Sequence, residues 1–296
     1  MTYGVVAIVK DAAESIVPML TSAQEAGATV ATIVDTGSTD DTIRRMEDAP
    51  GSLEISLFER PWVNFGHNRS EAFALAQGSA DWLLALDADM TVNVDGFEPD
   101  PAVDAYMVEM GTPQFSYRLP LVLNGARAWQ SIGAVHEYTA LANGELGLRV
   151  ATDAVRVSHP GANAGPDKTR WHADLLEADL LRDPGNPRTV YYLAQAYRDL
   201  GNRERARSLY AKRAQMGSWE EERWHAQYQA ALLTEPWADR LVALMAAWES
   251  RPSRREPLWH AVSGLRAAGQ TRTADVLAAI ETPPCDDILF VERGLW

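Results

Sequence analysis

The chain has little of several things that mark other classes of protein. Only one of its 296 residues is a cysteine, Cys285, which excludes an internal disulfide and a zinc site built from several cysteines. No apolar run approaches the about 18 residues of a membrane span, and no basic region precedes the first apolar stretch. Walker, dinucleotide-binding and Gly-x-Ser-x-Gly motifs are also absent from the sequence. These absences predict a globular chain with a cytoplasmic location.

Positive charge is scarce in the first half of the chain. Residues 1–165 hold 9 Lys or Arg against 22 Asp or Glu, a net charge of −13, whereas residues 166–296 hold 18 against 19. An acidic domain repels a phosphate backbone, which argues against nucleic acid as a partner. The two stretches also differ in pattern, and we expect one domain over residues 1–165 and a second over residues 166–296.

Apolar runs that suit β-strands alternate with helical patterns over the first ninety residues. The predicted strands are 3–9, 28–35, 53–59 and 82–87. This alternation indicates an α/β domain with a parallel sheet and right-handed crossovers. Ligands of such sheets bind beyond the carboxyl ends of the strands, where Asp35 and Asp87 fall. Residues 103–158 change to short strands joined by turns, which predicts a smaller mixed or antiparallel part packed on the sheet.

The second half carries small and large apolar residues at helical spacing. Gly201 lies at the centre of the stretch YYLAQAYRDLGNRERARSLY, and Gly269 lies in an equivalent place 68 residues later. This distance is twice the period of about 34 residues that defines the tetratricopeptide repeat (TPR). We therefore expect an all-α, TPR-like domain that could bind a partner segment in its concave face.

Two carboxylates, Asp87 and Asp89, follow the fourth predicted strand in WLLALDADM. Like charges this close repel unless a cation lies between them or one of them keeps its proton. Carboxylate oxygens suit Mg²⁺ or Mn²⁺, and such an ion neutralises the charge that grows on a leaving diphosphate. Two aspartates near a turn can equally belong to a solvated loop or a helix cap, so the pair alone leaves both interpretations open.

Three segments together resemble the family 2 glycosyltransferases of the GT-A fold. They are TIVDTGSTDDT at 32–42, FGHNRSEAFALA at 65–76 and LLALDADM at 83–90. The resemblance covers residues 1–160, and the stretch after them is similar to bacterial members with a TPR tail. It implies a GT-A, Rossmann-like domain that transfers a sugar with inversion from a nucleotide-diphosphate sugar, with a UDP-sugar as the expected donor and Mn²⁺ or Mg²⁺ as the cofactor.

The resemblance also implies which residues bind the donor and the metal. Asp35 and Asp40 would bind the nucleotide, and Asp87 would contact the ribose or order the metal shell. The metal ligands would be Asp87, Asp89 and His159. The donor contacts would be Asp11, Asp35, Asp40, Arg69 and Asp87. Lys168 and Arg170 are cations that could balance the charge of the donor diphosphate, beside a Gly- and Pro-rich stretch that could close as a lid.

The residues alone leave other roles open for these positions. Asp35 and Asp40 could stabilise a turn, and Asp11 could cap the first helix. His159 could be an exposed loop histidine. Lys168 and Arg170 could be solvated charges on a plain linker.

An inverting enzyme needs a general base that deprotonates the acceptor. The stretch IGAVHEYTA offers Glu137, with His136 as the alternative base or as an acceptor contact. If residues 135–139 form a strand, these two side chains face opposite sides and only one can reach the acceptor. Both could instead be edge-strand charges. Aromatic residues that could stack on a sugar are Trp62, Trp129 and Tyr138, although core positions would explain them equally.

The TPR-like domain could present a protein or peptide acceptor to the first domain. Two alternatives to such an enzyme remain open from the sequence. The chain could be a non-catalytic sensor of nucleotide sugars whose TPR region binds another protein. It could also be a glycosyltransferase that acts on a glycan or another small acceptor, instead of a protein or peptide docked by the TPR region. The sequence does not fix the donor sugar, the acceptor or the oligomeric state.

Overall fold

The computed structural model describes residues 1–47, 51–112, 115–159, 165–287 and 291–292. The chain divides into two compact units, Met1–Asn163 and Ala164–Trp296. Across the described ranges, no helix combines the length and the apolar character that a membrane crossing requires.

The first unit consists of strands and three helices. The strands are β1 (Tyr3–Val9), β2 (Ala28–Asp35), β3 (Glu54–Glu59), β4 (Trp82–Ala85), β5 (Thr91–Val94), β6 (Ala105–Thr112), β7 (Phe115–Asn124), β8 (Trp129–Ile132), β9 (Tyr138–Leu141), β10 (Arg149–Thr152) and β11 (Val155–Ser158). The helices are α1 (Ile16–Glu25), α2 (Thr42–Glu47) and α3 (Phe65–Ala76).

Seven of these strands form one sheet in the order β10-β6-β7-β4-β1-β2-β3. The strands β4, β1, β2 and β3 pair in parallel, which confirms the predicted α/β arrangement. All four residues of β4 are buried, as expected where helices cover both faces of a parallel sheet. Ile16, Met19 and Leu20 of α1 contribute to one core cluster, and Ala72 and Phe73 of α3 contribute to another.

Three of the strands after residue 103, β6, β7 and β10, continue this sheet, whereas the sequence predicted a smaller part packed on it. β6 and β7 pair antiparallel, β7 pairs antiparallel with β4, and β10 joins β6 in parallel. The mixed character was predicted correctly, but local patterns do not show which strand a segment pairs with. Two further antiparallel pairs, β5 with β11 and β8 with β9, lie outside the main sheet.

The second unit is helical throughout its described secondary structure. Its helices are α4 (Pro166–Arg182), α5 (Pro187–Asp199), α6 (Arg203–Ala214), α7 (Glu220–Leu232), α8 (Trp237–Ser250), α9 (Glu256–Ala267) and α10 (Thr271–Ala278). Each helix contacts the next one along the chain. Gly201 and Gly269 follow α5 and α9 with φ of +78° and +75°, a conformation that glycine adopts without strain. Ala194 and Ala206 are fully buried, which lets α5 and α6 approach closely. The assignment to the TPR class remains a prediction.

Candidate functional site

Three predicted site residues lie at one edge of the parallel sheet. Asp11 follows β1, Asp35 ends β2 and Asp87 follows β4. The register places Val9 beside Asp35 and Val6 beside Ala85, so these strands end at the same edge. This is the edge where ligands of open α/β sheets bind.

Reciprocal hydrogen bonds join the loops that follow β1 and β2. The Thr39 amide donates to Asp11 Oδ1 at 2.7 Å, and the Asp11 amide donates to Ser38 Oγ at 2.9 Å. The Ala13 amide donates to Asp40 Oδ2 at 3.1 Å. Asp11 has φ of +47°, in the left-handed region that aspartate tolerates better than most residues. The two loops therefore form a single hydrogen-bonded frame.

Asp35 and Asp40 also organise their own turn. Asp35 is 1% exposed, and its Oδ2 accepts from the amides of Gly37 at 2.9 Å and Ser38 at 3.0 Å. The hydroxyl and amide of Thr42 donate to the exposed Asp40, which lowers the pKa of that carboxyl. The turn-stabilising role left open by the sequence is thus present for both residues. Their contact with a nucleotide remains a prediction.

Arg69 on α3 lies between two carboxylates that are distant in sequence. Its Nη2 is 2.7 Å from Asp87 Oδ1, and its Nε is 3.0 Å from Glu137 Oε1. The side chains are 15% exposed for Arg69, 16% for Glu137 and 40% for Asp87. Burial alone would lower the pKa of Arg69, but the two carboxylates outweigh it and raise that pKa. Asp87 therefore has a cation from the chain itself as a neighbour.

The segment that carries Glu137 is fastened to α3. Ser70 Oγ donates to the Ser131 carbonyl at 3.1 Å and accepts from the Ser131 amide at 2.8 Å. The Gly66 amide donates to the Gly133 carbonyl at 3.1 Å. A Cβ on Gly66 would lie 2.3 Å from that carbonyl oxygen, so only glycine allows this approach. The same helix therefore supplies Arg69 and positions the backbone before Glu137.

The prediction of a strand over residues 135–139 is wrong at its beginning. β9 begins only at Tyr138, and His136 has φ of +53°. The carbonyls of Gly133 and Ala134 accept hydrogen bonds from α3 and not from a neighbouring strand, which explains the bend. His136 is exposed, whereas Glu137 is mostly buried against Arg69. The structure brings Glu137 to Arg69 and Asp87; which of the two residues is the base remains a prediction.

Asp89 and His159 form a second pair. Asp89 Oδ2 is 3.4 Å from His159 Nε2, and the side chains are 35% and 31% exposed. The antiparallel pairing of β5 with β11 explains this closeness, because Thr91 is opposite Ser158. Residues just before β5 and just after β11 therefore meet, although they are 70 positions apart.

The donor set of this pair fits a divalent ion in part. A carboxylate oxygen and an imidazole nitrogen face each other, and Mn²⁺ accepts both. Within the described ranges no three His, Cys, Asp or Glu residues form a group that could hold a metal. Ions of nucleotide-dependent sites commonly take one or two protein ligands and complete their shell with phosphate oxygens and water. Asp89 and His159 are thus suited to an ion that arrives with a diphosphate.

Other predicted residues lie elsewhere. Lys168 and Arg170 are exposed on the first turns of α4, in the second unit, and residues 160–164 of the expected lid lie outside the described residues. Their role in donor binding remains a prediction.

Trp129 is buried, and its indole N–H donates to the Asn124 carbonyl at 3.0 Å, so stacking of Trp129 on a sugar is ruled out by its core position. Tyr138 is 38% exposed beside Glu137.

Sequence reasoning did not identify the residues that position Glu137. These are Gly66, Ser70 and Gly133. The one local signal is Gly66, because glycine is a poor helix former and yet lies in the first turn of α3.

A surface cavity of about 690 Å³ lies at the amino ends of β1 and β4, and none of the predicted site residues lines it.

No protein-family model matches the chain, and no curated protein matches its sequence. Among solved structures it is similar to S. aureus TarS in complex with UDP-GlcNAc, with a TM-score of 0.37 and 15% identity over 93% of this chain and 91% of TarS. TarS in complex with UDP gives a TM-score of 0.39 and 14% identity over 98% and 95% of the two chains. Glucosyl-3-phosphoglycerate synthase from Mycobacterium tuberculosis, in complex with Mn²⁺, UDP and phosphoglyceric acid, gives 0.29 and 17% over 38% and 44%. At these TM-scores the likeness carries no argument about the chemistry of this chain.

Proposed function

We propose that the first unit is a metal-dependent glycosyltransferase that moves a sugar from a UDP-sugar to an acceptor with inversion. The observation that carries the proposal is the arrangement around α3 and β4, where Arg69 joins Asp87 to Glu137. The motif resemblance stated above supports it independently of this geometry.

The donor would bind at the carboxyl edge of the sheet. Carboxylates accept hydrogen bonds from base N–H and ribose O–H groups, and Asp11 and Asp40 lie exposed in the frame formed by the loops after β1 and β2. Asp87 would contact the ribose. Asp89 and His159 would hold Mn²⁺ or Mg²⁺, which supplies charge neutralisation at the departing diphosphate when it is bound.

Glu137 would act as the general base. Its carboxylate takes the proton from the acceptor hydroxyl while the acceptor oxygen forms a bond to the anomeric carbon. The bond from that carbon to the diphosphate oxygen breaks, and its electron pair leaves with the nucleoside diphosphate. His136 is the alternative base because it is exposed one residue away.

The acceptor is proposed to be a protein or peptide side chain that the second unit binds. The support is the succession of helices α5 to α10, with glycines after α5 and α9 that are separated by about twice the period of a TPR. A glycan or another small acceptor would make this unit dispensable for recognition, and acceptor screening distinguishes the two.

The test measures turnover by the full chain. UDP- and GDP-sugars are supplied with Mn²⁺ or Mg²⁺, and released nucleoside diphosphate and modified acceptors are measured by mass spectrometry. We expect Asp89→Asn to lower donor turnover by about 100-fold or more, because a direct metal ligand is lost. Asp95→Asn is the matched control, since Asp95 is exposed just after β5 and is outside the proposed site, and it should retain turnover.

Calorimetry with UDP and Mn²⁺ separates the alternatives. Metal-dependent UDP binding without turnover of any donor would contradict the enzyme hypothesis and support the non-catalytic nucleotide-sugar sensor. Absence of both binding and turnover would refute the proposal altogether.

A further inference from the structure

Arg69 uses two different edges of its guanidinium. Nη2 contacts Asp87 and Nε contacts Glu137, so one planar group fixes the direction of both carboxylates. A lysine ammonium is a point charge without this fork and cannot impose the same geometry. The contact engages Glu137 at Oε1 and leaves Oε2 as the oxygen that would meet an acceptor.

Hydrogen bonds before and after Arg69 anchor helix α3, so its contact with Glu137 is more than a surface ion pair. The Asn64 side chain caps α3 by accepting from the His67 amide at 2.8 Å. Ser70, one residue after Arg69, bonds the Ser131 backbone in both directions. The helix and the segment that ends in Glu137 are therefore tied together on both sides of the guanidinium, and Arg69 has a fixed position from which to orient Glu137.

A second arginine provides the comparison within the same unit. Arg60 Nε is 2.6 Å from Glu71 Oε1, and these side chains are more exposed than Arg69 and Glu137. Glu71 lies on α3, two residues after Arg69. This pair has the same chemistry and contacts the same helix through Glu71, but it does not connect the two proposed functional carboxylates.

We propose that Arg69 is a positioning residue that couples the proposed base Glu137 to the donor-side carboxylate Asp87. The inference rests on the proposed function, in which Glu137 takes the acceptor proton. Donor binding at Asp87 and proton transfer at Glu137 then depend on one shared cation, which holds both carboxylates in a fixed direction.

The test is a double-mutant cycle in the full chain. We expect Arg69→Gln to lower kcat for transfer by about 100-fold, within the range of losing an oriented base, with a smaller change in the KM for donor. Glu137→Gln should give a comparable loss, and the double variant should be no worse than Glu137→Gln alone. Guanidinium ion added to Arg69→Ala should restore part of the rate. Arg60→Gln should transfer at close to the wild-type rate.

Three results would overturn the inference. They are independent, multiplicative losses in the double variant, transfer by Arg69→Gln at the wild-type rate, and an equal loss in Arg60→Gln. Crystal structures of Arg69→Gln and Arg60→Gln keep the test decisive if no donor is turned over. Glu137 should leave its position in Arg69→Gln only; a Glu137 that stays in place refutes the positioning role, whereas absent turnover in the wild type refutes the proposed function.

Discussion

Each unit of the molecule contains an arginine between two carboxylates, and the two arrangements differ chiefly in their access to water. In the first unit Arg69 joins Glu137 to Asp87, whose side chain is 40% exposed. In the second unit Arg254 is 2.9 Å from Glu256 and 3.0 Å from Asp287, and none of these three side chains is more than 6% exposed. The same chemical group can therefore serve a reaction in one place and a structure in the other.

The surroundings of Arg254 show what the buried arrangement does. Its guanidinium lies 4.1 Å from the centre of the Trp224 ring on α7. Glu256 also accepts from the amide of Glu292 at 3.1 Å. Through Asp287 and Glu292 this cluster fastens the last described part of the chain to the helices. A buried charge without its partner is strongly unfavourable, so such a cluster has no freedom to exchange partners.

The largest effect on stability is expected from Arg254→Gln. Losing the cation leaves the fully buried Glu256 without its arginine, while Asp287 keeps Arg251 at 2.7 Å, and it should destabilise the second unit by about 3–5 kcal/mol. Arg69→Gln should lower stability much less, because water can solvate Asp87. Urea unfolding of the full chain measures both, and hydrogen exchange assigns each transition to a unit. Arg266→Gln, which removes an exposed pair with Asp275, is the control. Equal destabilisation by the Arg254 and Arg69 variants would remove the contrast.

Gly66→Ala should have the next largest effect. It disturbs the close contact between α3, which carries Arg69, and the segment before Glu137. The new Cβ would meet the Gly133 carbonyl oxygen at 2.3 Å, and the backbone must shift. We expect a loss of about 1–3 kcal/mol, as for other overpacked sites, together with lower transfer activity because Glu137 moves. Gly217→Ala is the control, since a Cβ there meets nothing within 4 Å. Unchanged stability and activity in Gly66→Ala would show that α3 does not fix this segment.

The smallest effect is a pH dependence confined to the second unit. Burial, followed by Arg254 and Arg198, lowers the pKa of His225 to about 3 from 6.5. The unfolded chain therefore binds an additional proton below pH 6.5, so the stability present above pH 6.5 is lost as the pH falls toward 3. The slope is at most about 1.4 kcal/mol per pH unit, or about 2 kcal/mol between pH 6.5 and 5.

Urea unfolding at pH 7, 6 and 5 measures this slope. His225→Gln removes the contribution of His225 and should reduce the slope of the helical transition, whatever its effect on stability at pH 7. Equal slopes in the wild type and the variant would show that His225 is not responsible. Burial also lowers the pKa of His172 and of His260 in the same unit, but both are present in the wild type and in the variant, so the difference between the two slopes reports His225.

The sequence predicted those parts of the site that depend on where strands end. Asp35 and Asp87 were expected at one sheet edge, and the parallel register confirms this, because apolar runs mark strand ends locally. Joining Arg69 to Glu137 requires contacts between residues 68 positions apart, which no local pattern encodes. The bend before β9 depends on hydrogen bonds to α3 for the same reason, and the residues 135–139 therefore resembled a strand.

Side-chain hydrogen bonds explain a second difference between sequence and structure. Ser38 and Thr39 are residue types that often cap a helix, yet α2 begins only at Thr42. Ser38 instead donates to Asp35, and Thr39 donates to Asp11 across the two loops. Polar turn residues have several partners within reach, and tertiary structure selects among them.

The antiparallel pairing of β5 with β11 has a consequence for variation in the first unit. The chain leaves the neighbourhood of Asp89 at Thr91 and returns to it at Ser158, so everything between those positions is an excursion whose two ends are clamped together. Loops within that excursion can lengthen or shorten, and thereby alter the surface offered to a second substrate, while the separation of Asp89 and His159 stays set by the clamp. Under the proposed function, a change of acceptor and the preservation of the proposed ion-binding pair are separable events.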